Sequence, residues 1–415
     1  MNRTKVVITG IGIVCSMGKT VAEFGDALFA GKTCIGPIEG WEITDKRYTL
    51  GGQYRAFDLR EDLPNADAKR LYRFSQFSLV AAHRAISDSN LQLAVEDRDS
   101  IGTSFSTVAA GLSEAVEISA RKYFARGDRS ISPTLWSEFI PSACTTHVAI
   151  HFGLHGPAAT HSAGCVSGLD TLNWGVMQIR EGNADVMVVG GADCMFTPFM
   201  WALMNRSGIL APTPSDGGSI PRPFSADHDG IALVEGGTAI ILESEQHARL
   251  RGARIYGEVL GVASTEEART MTDLDDTGKA FAVTIKKTLK DAGIPARDID
   301  WVCAHGTGHK IGDVAESRGI ETALKEHAFC VPVSSIRGAV GQSFASGGGF
   351  QAAAACLAIS NQMIPPTLNF STPAFDCKLD YVPNIARISR VRNVLINVAG
   401  VGGTHAGAII GKYGI

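Results

Sequence analysis

Apolar positions along this chain fall into two alternating patterns. One is a short continuous run closed by glycine; the other is a longer stretch in which apolar residues recur every three or four positions. Residues 5–13 form a β-branched run that predicts a strand, and Thr20 is placed to cap a helix over 21–30. Leu71, Phe74, Phe77, Leu79, Ala82 and Ile86 predict a helix over 70–88, followed by a short strand over 99–106. Residues 108–138 carry few strand signals and are expected to cover the surface or a subunit interface. A helix over 145–154 is predicted to stop at Gly156-Pro157, and Leu169, Leu172, Val176 and Ile179 mark another. The near-continuous apolar run 184–191 suits a strand buried on both faces.

Residues 207–230 are rich in Ser, Pro, Gly and Asp, a long loop of the kind that carries function in compact enzymes. A strand returns over 235–242. The polar, basic stretch 246–252 then marks the expected boundary between halves 1–250 and 251–415. The second half repeats the plan, with strands over 255–262, 299–304, 331–335, 391–398 and 405–410. Its helices are predicted over 280–292, 313–327 and 350–360, the last opened by a glycine-serine turn over 341–349. Strand and helix alternating through both halves predict an α/β layered fold built by internal duplication.

Composition narrows the function classes. The chain has 415 residues, 45% hydrophobic and 19% charged, with a formal net charge of −4. No block of Lys and Arg offers an electrostatic footprint for nucleic acid or an anionic membrane, and no apolar run reaches membrane-spanning length. Nine cysteines are scattered without CxxC spacing, against both a zinc site and a disulfide framework and in favour of a reducing cytoplasm. The first residues run straight into a strand-like segment without the long apolar core of a signal peptide.

Among these cysteines Cys165 stands out, set among small residues in His161-Ser162-Ala163-Gly164-Cys165-Val166-Ser167-Gly168 at a strand-to-helix turn. The N–H groups and positive dipole end of a helix favour a thiolate there, and small neighbours let an acyl group reach the sulfur. A cysteine flanked by Ala and Gly is equally a packing residue, and this segment alone leaves both readings open. A thiol nucleophile needs a base or donor nearby, and acyl transfer needs donors where charge develops on a carbonyl oxygen. Candidates are His305, which follows an apolar strand and precedes Gly306-Thr307-Gly308, and the glycine-rich segments 341–349 and 400–403. Tight packing and a hairpin turn explain those two glycine segments equally well. No GxxxxGK[ST] is present.

Taken in order, several segments together resemble a known family. They are Val6-Val7-Ile8-Thr9-Gly10-Ile11-Gly12, Gly153-Leu154-His155-Gly156-Pro157, Ala163 to Gly168, and Arg222-Pro223-Phe224-Ser225-Ala226-Asp227 with Asp229-Gly230 and Glu235-Gly236. Ala304-His305-Gly306-Thr307-Gly308 with Asp313 and Glu316, and Gly402-Gly403-Thr404, complete the set. The pattern is similar to the elongating β-ketoacyl-[acyl carrier protein] synthases and spans essentially the whole chain. The resemblance implies a thiolase fold, a duplicated five-layered α-β-α-β-α architecture that is usually dimeric. It also implies an acyltransferase of fatty acid or specialised type II polyketide biosynthesis, with an acyl group loaded on Cys165 and condensed with malonyl-acyl carrier protein by a decarboxylative Claisen reaction. On this reading Cys165, His305 and Gln342 are catalytic, Arg337 and Glu316 support them, and the N–H groups of Cys165 and Val401 form the oxyanion hole. Thr307, His309, Ala399, Gly400 and His405 would bind substrate. No metal or cofactor is implied, since the substrates ride on the phosphopantetheine arm of the carrier protein, and the partner is a like or a different ketosynthase subunit.

Several positions depart from the family. In Ser334-Ser335-Ile336-Arg337-Gly338-Ala339-Val340-Gly341-Gln342, Arg337 replaces a lysine and Gln342 the second histidine. Arg337 is expected to pair with a carboxylate such as Glu316. A glutamine amide can donate to a thioester carbonyl but cannot carry a proton. Initiating condensing enzymes use Cys-His-Asn, so an amide there does not exclude condensation. Ala399 and Val401 stand where the family has two phenylalanines, which implies a wider or less gated pocket; His309 replaces a threonine, and Gly164 an alanine. Two alternatives follow: an acyltransferase that does not condense, and a partner subunit resembling a chain-length factor. Retention of Cys165 disfavours the second. A degradative thiolase would need a second cysteine that residues 399–403 lack.

Overall fold

The computed structural model describes residues 3–272 and 274–414, so Met1 and Asn2 of the N-terminal segment lie outside it. Ten strands build the scaffold. They are β1 (Val6–Val14), β2 (Ile101–Ser106), β3 (Ala158–His161), β4 (Val186–Asp193), β5 (Gly236–Ser244), β6 (Gly257–Glu266), β7 (Trp301–Cys303), β8 (Val333–Ser334), β9 (Asn393–Ala399) and β10 (Thr404–Gly411). They hydrogen-bond in the order β8-β7-β9-β10-β6-β1-β5-β4-β2-β3. Read outward from the middle, both halves have one plan. β1-β5-β4-β2-β3 and β6-β10-β9-β7-β8 each run antiparallel, antiparallel, parallel, parallel. Among the described residues the two five-stranded sheets meet only where β1 touches β6, at Val7 opposite Glu258 and Ile8 opposite Gly257.

Helices complete five layers. α1 (Arg73–Asp88) and α2 (Ala143–Phe152) cover the outer face of the first sheet, and α4 (Lys279–Ala292) and α5 (Lys310–Leu324) that of the second. Between the sheets lie α3 (Ser167–Arg180) and α6 (Gly347–Asn361). Every residue of α6 from Gly347 to Ile359 is buried, as a helix apolar on all sides must be. Small residues let these two helices start side by side. A Cβ on Gly168 would lie 2.1 Å from the Ala345 carbonyl oxygen, and one on Gly348 2.6 Å from the Leu169 nitrogen. The duplication therefore sets two strand-to-helix turns, Gly164–Val166 and Phe344–Ser346, against each other at the molecule's centre.

The duplicated thiolase-type layering expected from the sequence is present. Thr20 caps the helix Val21–Phe29 through a reciprocal pairing with Glu23. α6 begins three residues earlier than predicted, because Gly347, Gly348 and Gly349 are its first turn, pressed against Arg337, Leu169 and Thr238. Residues 112–139 form short helical pieces that leave Phe124 85% and Trp136 76% exposed. Among the described residues no helix is long and apolar enough to cross a membrane.

Candidate active site

Cys165 occupies the short turn that feeds α3. Gly164, at φ +65°, makes the bend, and the Ser167 hydroxyl closes it by accepting from the Ala163 N–H at 2.7 Å and donating to the Gly164 carbonyl at 2.6 Å. The helix end was expected to favour a thiolate, but burial dominates and pushes the Cys165 thiol up to about 11. The Arg337 charge, the Gln342 side chain and the Val401 N–H oppose that rise, while the buried Asp193 carboxylate adds to it. Asp193 positions the neighbouring turn: it accepts from the N–H groups of Ala345, Val108 and Ala109 and from the Thr107 hydroxyl.

His305 and Gln342 come from the second half. His305 leaves the end of β7, where its N–H and that of Gly306 each donate to Glu316, at 2.8 Å. Burial, reinforced by the Arg337 charge, holds the imidazole well below its ordinary pKa, so it is neutral at physiological pH, and its buried Nδ1 has no partner among the described residues. Burial also raises the Glu316 carboxyl to about 7 against those two N–H donors. Gln342 is placed by backbone bonds to the loop after residue 230: its N–H donates to Ala232, and its carbonyl accepts from Val234. Its side-chain Oε1 is buried without a partner among the described residues. Val401 crowns the β9–β10 turn, where a Cβ on Gly400 would stand 3.3 Å from the Cys165 nitrogen.

Cys165, His305, Gln342, Thr307, His309, Ala399, Gly400 and Val401 line one cavity of about 80 Å³. The remaining wall comes from residues that the sequence gave no reason to select: Ile209, Ile231, Thr272, Leu274, Gly312 and Phe344. Phe344 alone left a trace, as a bulky residue in the glycine-serine turn that the fold holds at φ +44°. Ile209, Ile231, Leu274 and Phe344 make this part of the wall apolar.

Family models for the β-ketoacyl synthase N-terminal domain and C-terminal domain match residues 3–248 and 256–371. The chain belongs to the β-ketoacyl synthase family. It is 34% identical over 412 residues to the granaticin polyketide putative β-ketoacyl synthase 1 of Streptomyces violaceoruber, with 98% of each chain covered. It is 32% identical to the 3-oxoacyl-[acyl-carrier-protein] synthase 2 of Synechocystis sp., covering 100% of this chain and 99% of that one. The solved ishigamide ketosynthase/chain length factor matches with a TM-score of 0.92 at 29% identity, over 99% of this chain and 100% of that one. A ketosynthase solved with its type II acyl-carrier protein and bound to the hexaketide matches with a TM-score of 0.90 at 31% identity, over the same shares. As a β-ketoacyl synthase the chain is an acyltransferase of the condensing type.

Two expected contacts of this β-ketoacyl synthase differ in the structure. Arg337 and Glu316 do not form an ion pair. Glu316 is taken by the two backbone N–H groups, and the Arg337 guanidinium donates instead to the Gly341 carbonyl at 3.3 Å and to the Gln351 Oε1 at 3.1 Å. His405 is not a wall of the cavity. Its Nε2 bonds Glu267 at 2.8 Å and its ring meets Phe281 edge-on, because alternation along β10 turns the side chain at 405 away from the turn that carries Val401. His309 lines the cavity and also caps α5, its Nδ1 accepting from the Gly312 N–H. Among the described residues no group of three His, Cys, Asp or Glu side chains is arranged to hold a metal ion.

Proposed function

We propose that this β-ketoacyl synthase elongates acyl chains carried by an acyl carrier protein, by decarboxylative Claisen condensation in fatty acid or specialised type II polyketide synthesis. The observation that carries the reading is the convergence of Cys165, His305, Gln342 and the Val401 turn on one cavity. In the loading half, Cys165 sulfur attacks the acyl thioester, and the phosphopantetheine sulfur of the carrier departs with the thiol proton. In the second half, malonyl-carrier loses carbon dioxide and its electron pair passes to an enolate. Neutral His305 and the Gln342 amide each offer a hydrogen to that enolate oxygen, so Gln342 has no proton to carry. The enolate carbon attacks the acyl carbonyl, whose oxyanion faces the N–H groups of Cys165 and Val401. Collapse breaks the carbon–sulfur bond and returns Cys165, which takes up a proton.

The residues fit substrates delivered on a pantetheine arm, with Thr307, His309, Ala399 and Gly400 on the cavity wall. Halves 1–250 and 251–415 contribute the nucleophile and the enolate-binding pair respectively. The partners are a carrier protein and a second ketosynthase subunit, like or different, and the exposed Phe124 and Trp136 suit such a cover. Nine free cysteines suit a reducing cytoplasm.

Intact-mass spectrometry after incubation with acyl-carrier and then malonyl-carrier protein tests the reading, with Cys165→Ala as control. The expected result is acyl mass on the wild type alone, followed by a ketoacyl product. Loading and transfer without carbon dioxide release would indicate an acyltransferase, and no loading would indicate a partner subunit.

A further inference from the structure

Gln351 is the one polar side chain in the buried stretch of α6 from Gly347 to Ile359, and it is itself fully buried. An amide there is costly unless both of its ends are satisfied. Here they are. The two hydrogens of its Nε2 are shared among the carbonyls of Cys303 at 3.1 Å, Ala304 at 3.0 Å and Asn397 at 3.0 Å, while its Oε1 accepts from Arg337. Each partner lies next to a reacting group. Cys303 and Ala304 lead into His305, Asn397 stands two residues before the Ala399-Gly400-Val401 turn, and Arg337 opens the turn whose Gly341 carbonyl it also binds, just before Gln342.

The same amide leaves a charge in place. Arg337 is buried, and among the described residues no carboxylate lies within ion-pair distance of it. The charged or titratable groups acting on Arg337 are Cys165, Cys303 and Glu316; those acting on Cys165 are Arg337 and Asp193, with His305 also under the Arg337 charge. A carboxylate at 351 would compensate the guanidinium, and an amide does not.

We propose that Gln351 is a positioning residue of this site. Its neutral amide aligns the segments that carry His305, Gln342 and Val401, and holds Arg337 uncompensated so that the guanidinium charge serves the Cys165 thiolate. The inference rests on the condensing reading for its kinetic half only, since thiolate chemistry can be read without carrier protein.

The test follows alkylation of Cys165 by iodoacetamide against pH, quantified on its own peptide because other free cysteines are present, in variants whose folding is checked by circular dichroism. Arg337→Met is expected to slow Cys165 alkylation at pH 8 about tenfold, and Arg337→Lys, which keeps the charge, to stay within about threefold of wild type. Gln351→Met, which keeps length and removes both hydrogen-bonding ends, is expected to lower kcat at least tenfold with the KM for malonyl-carrier unchanged. Equal alkylation in Arg337→Met and wild type, or wild-type kcat in Gln351→Met, overturns the proposal. Should Gln351→Met not fold, Gln351→Glu decides the charge half. A carboxylate beside Arg337 is expected to slow alkylation as Arg337→Met does, and an unchanged profile counts against the proposal. Failure of condensation in the wild type would leave the alkylation series readable and would count against the functional reading alone.

Discussion

Cys165 illustrates how one side chain is set by opposing effects, of which burial is the largest. Burial raises its thiol to about 11, and the Arg337 charge, the Gln342 side chain and the Val401 N–H recover only part of that cost. At neutral pH the resting group is the thiol. Its alkylation rate is therefore expected to rise about tenfold per pH unit between pH 7 and 10, and a plateau beginning near pH 7 would contradict this account. Gln342 makes a second residue-level prediction. If its amide only stabilises the enolate, Gln342→Met lowers malonyl decarboxylation roughly 10²-fold while acyl loading of Cys165 stays within a few fold. Equal loss in both half-reactions, measured by carbon dioxide release and by intact mass, would give Gln342 a role in loading as well.

At the scale of elements, the site depends on how closely two turns approach. Gly168 begins the crossing of α3 with the 344–346 turn, and an added Cβ would meet Ala345 oxygen at 2.1 Å, backbone that cannot swing away. Gly168→Ala is expected to destabilise the fold by about 3 kcal/mol in denaturant unfolding and to reduce Cys165 acylation as well. The elements themselves were legible in the sequence. The apolar runs at 5–13 and 184–191 gave β1 and β4, and the spacing of Phe74, Phe77 and Ile86 gave α1, because burial on one or both faces leaves a period in the residues. The order of motifs singled out Cys165, His305 and Gln342, and the fold brings the three to one cavity. What stayed hidden depends on contacts between distant segments. Three glycines read as a turn because their packing against Thr238, Leu169 and Arg337 has no local signal. The Arg337–Gln351 contact displaced the expected Arg337–Glu316 pair for the same reason. A lone glutamine inside the apolar run 350–358 was the one available clue.

At the scale of the molecule, the two sheets share only two opposed residue pairs among the described residues, so the joint depends on the central helices and on side chains that tie the halves together. Arg180 at the end of α3 reaches Asp291 on α4 at 3.1 Å, and Asp291 in turn accepts from the Val262 N–H of β6 at 2.9 Å. A second cluster closes the first half where the chain leaves it. The fully buried Glu243 of β5 accepts from Thr9 of β1, from His247 at 2.6 Å and from Arg251 at 2.8 Å, and His247 bridges on to Glu96 at 3.0 Å. Hydrogen bonding to Glu243 raises His247 to about 9. Burial would raise Glu243, but Arg251, His247 and Thr9 hold it down at about 2. The linkage then has a definite sign. The His247 contribution is complete below its ordinary pKa of about 6.5 and is lost as pH rises through about 9, whereas that of Glu243 is present above about 4.5 and is lost as pH falls toward about 2. The melting temperature of His247→Gln should therefore lie furthest below wild type near pH 6, and the gap should close by pH 10. A gap independent of pH would mean that His247 acts through packing and not through its charge.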